Sequence, residues 1–226
     1  MFGVLAGWLL VTTGASATTV GFGGVIPGIG VTHKLVQSMR ARKFQDLVKQ
    51  ETDFSCAAAS LATILKYAYN LNVTEQDMLE GLFAVSNPDT VRRQGFSLLN
   101  VKHYLEKVGF RGRGYQLKPD TLEQLRIPTI VLLDIAGYKH FVVLKKVKNN
   151  RAYIADPALG NKVLEKEEFL GNWNGVVFAV IGGGLNRNSV LISPPEPLTA
   201  RNLGNVRAPL TDIELLDFGF THAELF

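Results

Sequence analysis

The stretch Ser55–Tyr69 constrains the fold more than any other part of the chain. Its sequence, SCAAASLATILKYAY, is rich in Ala and Leu, and its larger apolar residues recur at helical spacing: Leu61, Ile64, Leu65 and Ala68. The pattern predicts a buried helix whose first turn is capped by Asp53 or Ser55. Cys56, the one cysteine of the 226-residue chain, falls at its start.

The remaining pattern predicts helices first and strands afterwards. Helices are expected at Thr74–Leu82 and Ser97–Val108, where Thr74 and Ser97 are good N-caps. Short apolar or alternating segments are expected as strands: Phe110–Leu117, Thr129–Leu133, Phe141–Val147, Ala152–Ala155, Lys162–Leu164 and Val176–Ile181. This order predicts an α+β fold in which helices and an antiparallel sheet are segregated.

The amino terminus resembles an export signal. Gly3–Val11 is a short apolar run, and Ala15-Ser16-Ala17 follows it as an A-x-A cleavage site. We therefore expect residues 1–17 to be a signal peptide and the mature protein to be periplasmic. No Lys or Arg precedes the apolar run, so the alternatives are a buried segment or an uncleaved membrane anchor.

Three regions are expected after the signal. They are a Gly-rich segment (residues 18–48), a central domain (49–182) and a Pro-containing extension (183–226). Within the first, Ser38–Lys49 is expected to be a short strand or a linker. Within the last, Asn186–Pro209 is expected to be an extended tail.

Composition excludes several classes of function. The net charge is +4 and the basic residues are scattered, so no nucleic-acid-binding surface is expected. A single cysteine allows neither an intramolecular disulfide nor a CxxC metal site. No GxxxxGK[ST] phosphate loop occurs. Neither a cofactor nor a metal is expected.

Cys56 lies where a helix favours a nucleophilic thiolate. The helix dipole and the unpaired backbone N–H groups of the first turn stabilise negative charge there. Gln50 stands six residues earlier, on the loop that leads into the helix. Its amide, together with the Cys56 N–H, is placed to donate hydrogen bonds to a developing oxyanion.

His140 is the best candidate base among the four histidines. It directly precedes Phe141-Val-Val-Leu144, at the start of a core strand. His103 is expected on the solvated face of a helix, whereas His33 and His222 lie in the Gly-rich segment and near the carboxyl terminus. An imidazole can accept the thiol proton and later protonate the leaving amine.

A predicted hairpin brings a carboxylate to that histidine. Phe141–Val147 runs into the turn Lys148-Asn149-Asn150-Arg151, and Ala152–Ala155 returns to Asp156-Pro157. Antiparallel pairing across this turn places Asp156 near His140, where it can orient the imidazole. Each feature alone also has a purely structural explanation: an inert buried thiol, a structural histidine or a turn-forming Asp-Pro.

These residues resemble the peptidase C39 family, the papain-like proteases that trim bacteriocin leader peptides. Resemblance covers roughly Lys49–Ile181 and rests on ordered stretches: Gln50–Ala62, Gly95–Leu99, Leu105–Phe110, Ile127–Val131, His140–Leu144, Ile154–Pro157, Phe169 and Trp173. It implies a papain-like fold, with Cys56 in a helical lobe and His140 and Asp156 in a sheet lobe. It also implies roles as nucleophile for Cys56, acid/base for His140, orienting acid for Asp156 and oxyanion donor for Gln50.

One residue departs from the family pattern, and the architecture differs from its best-known members. The family usually has Gly after the cysteine, where this chain has Ala57, and we expect the extra methyl group to narrow the cleft. The chain lacks an exporter's ATPase motif. It therefore resembles the periplasmic C39-like proteases that accompany bacterial functional-amyloid secretion systems.

The resemblance implies a cysteine endopeptidase that processes a secreted protein or leader peptide, after small residues such as Gly-Gly. Outer-membrane export or amyloid components are the implied partners. The alternative is a docking domain that keeps the fold and binds a secretion substrate without cleaving it. Loss of cleavage in Cys56→Ala separates the two.

Overall fold

The computed structural model of the protein describes residues 18–22, 32–36, 38–135 and 137–195. The chain divides into two compact units, Met1–Arg42 with Val206–Phe226 and Lys43–Asn205. In the first unit, strands β1 (Thr18–Phe22) and β2 (Thr32–Val36) pair antiparallel. The predicted signal peptide and the chain beyond residue 195 lie outside the described residues.

A short helix follows β2, where the sequence predicted a strand or a linker. Helix α1 spans Met39–Lys43. The side-chain oxygen of Ser38 accepts a hydrogen bond from the Ala41 N–H at 3.1 Å. That prediction was therefore wrong for these residues, because a Ser placed before a short polar segment can start a helical turn.

The second unit begins with four helices. The predicted helices are confirmed as α2 (Cys56–Ala68), α3 (Glu75–Phe83) and α5 (Leu98–Lys107), whereas α4 (Pro88–Gln94) was not predicted. Thr74 and Ser97 cap α3 and α5 as expected, each within a capping box. The start of α4 is marked by Asn87-Pro88, a cap followed by a first-turn proline. No helix within the described part of the chain is both long and apolar enough to cross a membrane.

Six strands then form one antiparallel sheet. They are β3 (Arg111–Gln116), β4 (Thr129–Ile135), β5 (Tyr138–Lys148), β6 (Arg151–Asp156), β7 (Gly160–Glu165) and β8 (Trp173–Ile181). Their spatial order is β3-β8-β4-β5-β6-β7, and all neighbours run antiparallel. A 3-10 helix (Pro119–Gln124) and helix α6 (Lys166–Asn172) lie in the connections. The predicted strands are confirmed.

Alternating strand residues supply two apolar clusters. One set packs with the helices α2, α3 and α5: Ile130, Val143, Ala155, Phe178 and Val180. The neighbouring set packs with Phe169 of α6 and Leu122 of the 3-10 helix: Val131, Val142, Leu144, Ile154 and Val177. Both faces of the sheet are therefore covered, which fixes its register against slippage.

The segment after β8 is folded where the sequence predicted an extended tail. The Asn186 N–H donates to the Ala68 carbonyl at 2.8 Å, and the Ser189 hydroxyl donates to the Tyr67 carbonyl at 2.5 Å. Leu191 is fully buried in the helical cluster. Up to Pro195 the prediction of a tail was wrong, because these contacts satisfy orphan carbonyls at the end of α2.

Candidate active site

The β5–β6 hairpin sets the position of the candidate base and its carboxylate. Asn149 and Asn150 have φ of 52° and 60°, the left-handed values that a tight two-residue hairpin turn requires. The register shifts between Leu144 and Lys146, so Val143 pairs with Ala155. Continued by one residue, this register sets Asp156 opposite Val142 and diagonal to His140. Diagonal neighbours are within reach of long side chains.

His140 and Asp156 meet as the sequence predicted. Their Nε2 and Oδ1 atoms are 2.9 Å apart, and both side chains are only 3% exposed. Asp156 Oδ1 also accepts the N–H groups of Ala158 and Leu159, at 2.9 and 3.0 Å. Lys162 Nζ approaches Oδ2 at 3.4 Å. The carboxylate is therefore held rigidly and kept charged.

The electrostatics of this pair favour an imidazolium. Burial lowers the pKa of His140, but its interactions with Asp156 and Cys56 outweigh burial and raise the pKa to about 9. Burial raises the pKa of Asp156, but the hydrogen bond and charge of His140 and the loop N–H of Leu159 bring it below its usual value. Both pKa shifts have the same cause, which is a carboxylate–imidazolium pair shielded from water.

The remaining nitrogen of His140 is available for the thiol. Because Asp156 accepts at Nε2, a neutral ring carries its proton there and leaves a lone pair on Nδ1. Nδ1 is buried and makes no hydrogen bond to any described residue. Cys56 is close enough to raise the pKa of the ring. Loose thiol–imidazole contacts in a substrate-free site tighten when substrate binds.

Cys56 is the first residue of α2, as predicted, but the predicted cap is absent. Ser55 occupies the N-cap position without a side-chain cap bond, and its hydroxyl donates instead to the Thr52 carbonyl at 2.7 Å. Of the two residues expected to cap the first turn, Asp53 and Ser55, Ser55 takes the N-cap position but its side chain does not cap the helix, so the expectation was wrong for Ser55. With no side-chain cap, N–H groups of the first turn remain available to an anion.

A hydrogen bond across the two lobes aligns the thiol with the imidazole. Ser60 lies one turn beyond Cys56 on α2, and its hydroxyl donates to the carbonyl of Phe141 at 3.2 Å. Phe141 is the residue after His140, so this bond connects the two elements next to their candidate reactive side chains. Ser60 was not singled out from the sequence, since its partner is 81 residues away.

The structure anchors Gln50 to the loop after Asp156. Its N–H donates to the Pro157 carbonyl at 3.0 Å, and its side-chain Nε2 donates to the Thr52 carbonyl at 3.2 Å. Its Oε1 atom is buried and has no hydrogen-bond partner among the described residues. The amide nitrogen carries two hydrogens, and the bond to Thr52 uses one of them.

Glu75 holds the residue next to Gln50. Both of its carboxylate oxygens accept the N–H of Glu51, at 3.0 and 3.2 Å, and the side chain is buried at 7% exposed. The N–H groups of the consecutive residues Gln50 and Glu51 are thus held by the Pro157 carbonyl and by Glu75 of α3. Glu75 was not singled out as a site residue from the sequence, because its partner lies 24 residues away.

An aromatic ring lies against the imidazole of the candidate base. Tyr138 stacks on the His140 imidazole, with ring centroids 5.8 Å apart and an interplanar angle of 26°.

Ala57 is fully buried in the helical cluster, so its methyl group packs in the core and does not line a cleft. The expectation that the Ala57 methyl group narrows the cleft was therefore wrong. His103 is exposed on α5, as predicted.

Among the described residues, no group of three or more His, Cys, Asp or Glu side chains is placed to hold a metal ion. The chemistry that the site can perform on its own is transfer of a proton between thiol and imidazole, with a carboxylate to orient the ring. This is the chemistry of cysteine nucleophiles in general.

Comparison with known proteins gives a consistent result. The model of the peptidase C39 family matches residues 45–182, more than half of the chain. A Pseudomonas aeruginosa protein named "Probable functional amyloid protease FapD" is 50% identical over 223 residues, 99% of this chain and 98% of its own length. Its counterpart of the same name from Pseudomonas fluorescens is 50% identical over 89% of both chains.

A solved structure supports the same assignment. It is a double glycine motif protease from an AMS/PCAT transporter in complex with its leader peptide, which matches with a TM-score of 0.51 and 32% identity, over 60% of this chain and 89% of the other. The α+β, papain-like fold predicted from the sequence is confirmed. This chain is a cysteine-type peptidase, and it belongs to the peptidase C39 family.

Proposed function

We propose that the chain is an endopeptidase that cleaves an exported protein in functional-amyloid biogenesis, with Cys56, His140, Asp156 and Gln50 as its working residues. The observation that carries the mechanism is the buried 2.9 Å contact between His140 Nε2 and Asp156. It leaves Nδ1 with no hydrogen-bond partner in the part of the chain that the structure describes. Support for the biological role comes from relatives named as functional amyloid proteases.

The first half of the reaction forms an acyl-enzyme. The Cys56 proton passes to Nδ1 of His140 and gives the thiolate–imidazolium pair that the raised pKa of His140 favours. The thiolate then attacks the carbonyl carbon of the scissile bond. The second hydrogen of the Gln50 amide and the Cys56 N–H stabilise the oxyanion. The carbon–nitrogen bond then breaks, and the imidazolium protonates the leaving amine.

The second half regenerates the thiol. A water gives a proton to His140 and attacks the thioester carbonyl, and the carbon–sulfur bond breaks. The peptide acid leaves, and the proton on His140 returns to Cys56. Asp156 keeps its negative charge throughout and holds the ring orientation in both halves.

The substrate is a peptide or protein. We propose small residues, Gly-Gly in particular, before the scissile bond, because a related double glycine motif protease was solved with its leader peptide. We also propose a periplasmic location, an export signal in residues 1–17, and export or amyloid components as partners. Domain boundaries near residues 49 and 182 remain a prediction.

The test uses the full chain, its Cys56→Ala variant and exported proteins that contain Gly-Gly, with products identified by mass spectrometry. We expect one cut in the presence of the parent and none with the variant. Equal cutting by both would overturn the assignment of Cys56. Binding of the same protein to both forms, with no product from the parent, would favour the docking domain.

Rapid labelling provides a second test that needs no substrate. Cys56 is the only thiol, so iodoacetamide reports it alone. At pH 6, where a free thiol of pKa about 8.5 reacts slowly, we expect fast labelling of the parent. We expect labelling slower by about tenfold or more in His140→Ala.

A further inference from the structure

Tyr138 has a place in the site that folding does not require. It is the first residue of β5 and pairs with Ile135 across the β4–β5 turn. Gly137, with φ of +86°, precedes it, and its N–H donates to Asp134 Oδ1 at 2.9 Å. The hairpin end is thus fixed, yet the tyrosine it presents is 56% exposed.

The ring covers the solvent side of the candidate base. It stacks on the imidazole of His140 at 5.8 Å, while His140 itself is only 3% exposed. Burial raises the pKa of the Tyr138 hydroxyl, and so do the negative charges of Cys56, Asp53 and Asp156. The hydroxyl therefore lies within electrostatic reach of the loop before α2 as well as of the sheet.

The destination of the His140 proton identifies the part of the substrate that contacts the Tyr138 ring. His140 must deliver its proton to the nitrogen of the leaving amine. The residue that carries this nitrogen, the first one after the scissile bond, must therefore lie beside His140. Tyr138 is the exposed aromatic surface at that place.

We propose that the Tyr138 ring forms the wall of the subsite for the residue after the scissile bond and selects an apolar side chain there. This inference rests on the proposed function, and it concerns the side of the bond opposite to the Gly-Gly pair. An aliphatic side chain gains by covering the exposed part of the ring. An acidic one loses hydration against the ring and gains no apolar contact.

The test compares three synthetic peptides that share a Gly-Gly sequence and differ only in the next residue: Leu, Ser or Asp. We expect the parent to cleave the Leu peptide with a kcat/KM about fivefold to tenfold above the Ser peptide, and the Asp peptide most slowly. In Tyr138→Ala the Leu-to-Ser ratio should fall to about 1, whereas Tyr138→Phe should retain it.

Controls separate specificity from misfolding. Tyr115→Ala removes a tyrosine of similar exposure, 42%, from β3, and it should leave the ratio unchanged. The far-UV circular dichroism spectrum of Tyr138→Ala should match that of the parent.

Three outcomes decide the matter. Equal cleavage of all three peptides by the parent would overturn the subsite. So would a uniform loss of rate on all three in Tyr138→Ala, which would show that the ring only positions His140. Absence of any cleavage by the parent would overturn the proposed function itself, and the subsite with it.

Discussion

Asp156 Oδ1 lies 2.9 Å from His140 Nε2, and the same oxygen accepts two loop N–H groups. One carboxylate oxygen therefore fixes both the ring orientation and the turn that follows β6. Asp156→Asn removes the negative charge but keeps a side-chain oxygen that can accept hydrogen bonds. The variant should therefore separate the effect of the charge on the imidazole from the effect of the hydrogen bonds on the turn.

We expect Asp156→Asn to keep the fold and lower kcat by about 10²-fold to 10⁴-fold, since the imidazolium loses its counter-charge. Far-UV circular dichroism checks the fold and peptide cleavage checks the rate. Asp134→Asn, which changes an exposed turn carboxylate near the site, is the matched control and should cleave normally. A fully active Asp156→Asn would contradict the orienting role.

The His140–Asp156 pair also predicts how stability depends on pH. The pKa of His140 is about 9 in the folded protein and about 6.5 in an unfolded chain. The folded state thus holds the proton more tightly, so the stabilisation is complete below pH 6.5 and is lost as the pH rises through 9. We expect the parent to lose on the order of 2 to 3 kcal/mol relative to His140→Gln between pH 6 and 9.5.

Urea unfolding of both proteins at the two pH values checks this difference. Subtraction is needed because Lys145 acts in the opposite direction. Burial lowers its pKa to about 8, so its contribution to stability rises between pH 8 and 10.5. The variant retains Lys145, and that contribution cancels. A parent and a variant with parallel pH profiles would exclude a charged His140.

The sequence predicted the elements of the site better than the contacts between them. The helix at Cys56, the Asn149-Asn150 turn and the His140–Asp156 approach follow from local patterns, since helical periodicity, turn chemistry and strand pairing act over short separations. The bulge at Lys145 was not foreseen, because one residue outside the ladder has no sequence signal of its own. Diagonal contact nevertheless brought the predicted pair together.

Residues with distant partners were missed for a different reason. Ser60 and Glu75 bind backbone groups that are 81 and 24 positions away, and no local periodicity reports such a partner. Tyr138 was overlooked because an exposed aromatic before a strand is common. Only the structure shows that its ring stacks on the His140 imidazole.

Ser60→Ala should lower activity because the variant loses a hydrogen bond that aligns Cys56 with His140. Loss of the 3.2 Å bond from its hydroxyl to the Phe141 carbonyl should reduce the free energy of unfolding by about 1 kcal/mol. It should also reduce kcat, because α2 and β5 no longer hold Cys56 and His140 in register. Ser86→Ala removes a hydroxyl bond to the Leu82 carbonyl just after the end of α3. It should cost similar stability and leave kcat unchanged, and a normal kcat in Ser60→Ala would contradict this role.

Glu75→Ala should loosen the Gln50 loop. The carboxylate holds the Glu51 N–H with both oxygens, and its loss should lower the free energy of unfolding by about 1 to 3 kcal/mol and kcat by about tenfold. Asp77→Asn is the control on the same helix, because Asp77 belongs to the capping box and not to the loop. It should affect α3 stability alone. Equal kcat values for the two variants would show that the Gln50 loop needs no clamp.

Gln50→Ala should separate oxyanion stabilisation from thiol activation. The amide donates one hydrogen to the Thr52 carbonyl. If the other stabilises the oxyanion as proposed, removal of the side chain should lower kcat by about 10²-fold to 10³-fold. Alkylation by iodoacetamide forms no oxyanion and should proceed in Gln50→Ala at about the parent's rate. The two rates, measured on one preparation, check both statements at once. A parallel fall in labelling and cleavage would mean that the Gln50 side chain acts on the Cys56–His140 pair itself, since the backbone bond from Gln50 to Pro157 is retained in the variant.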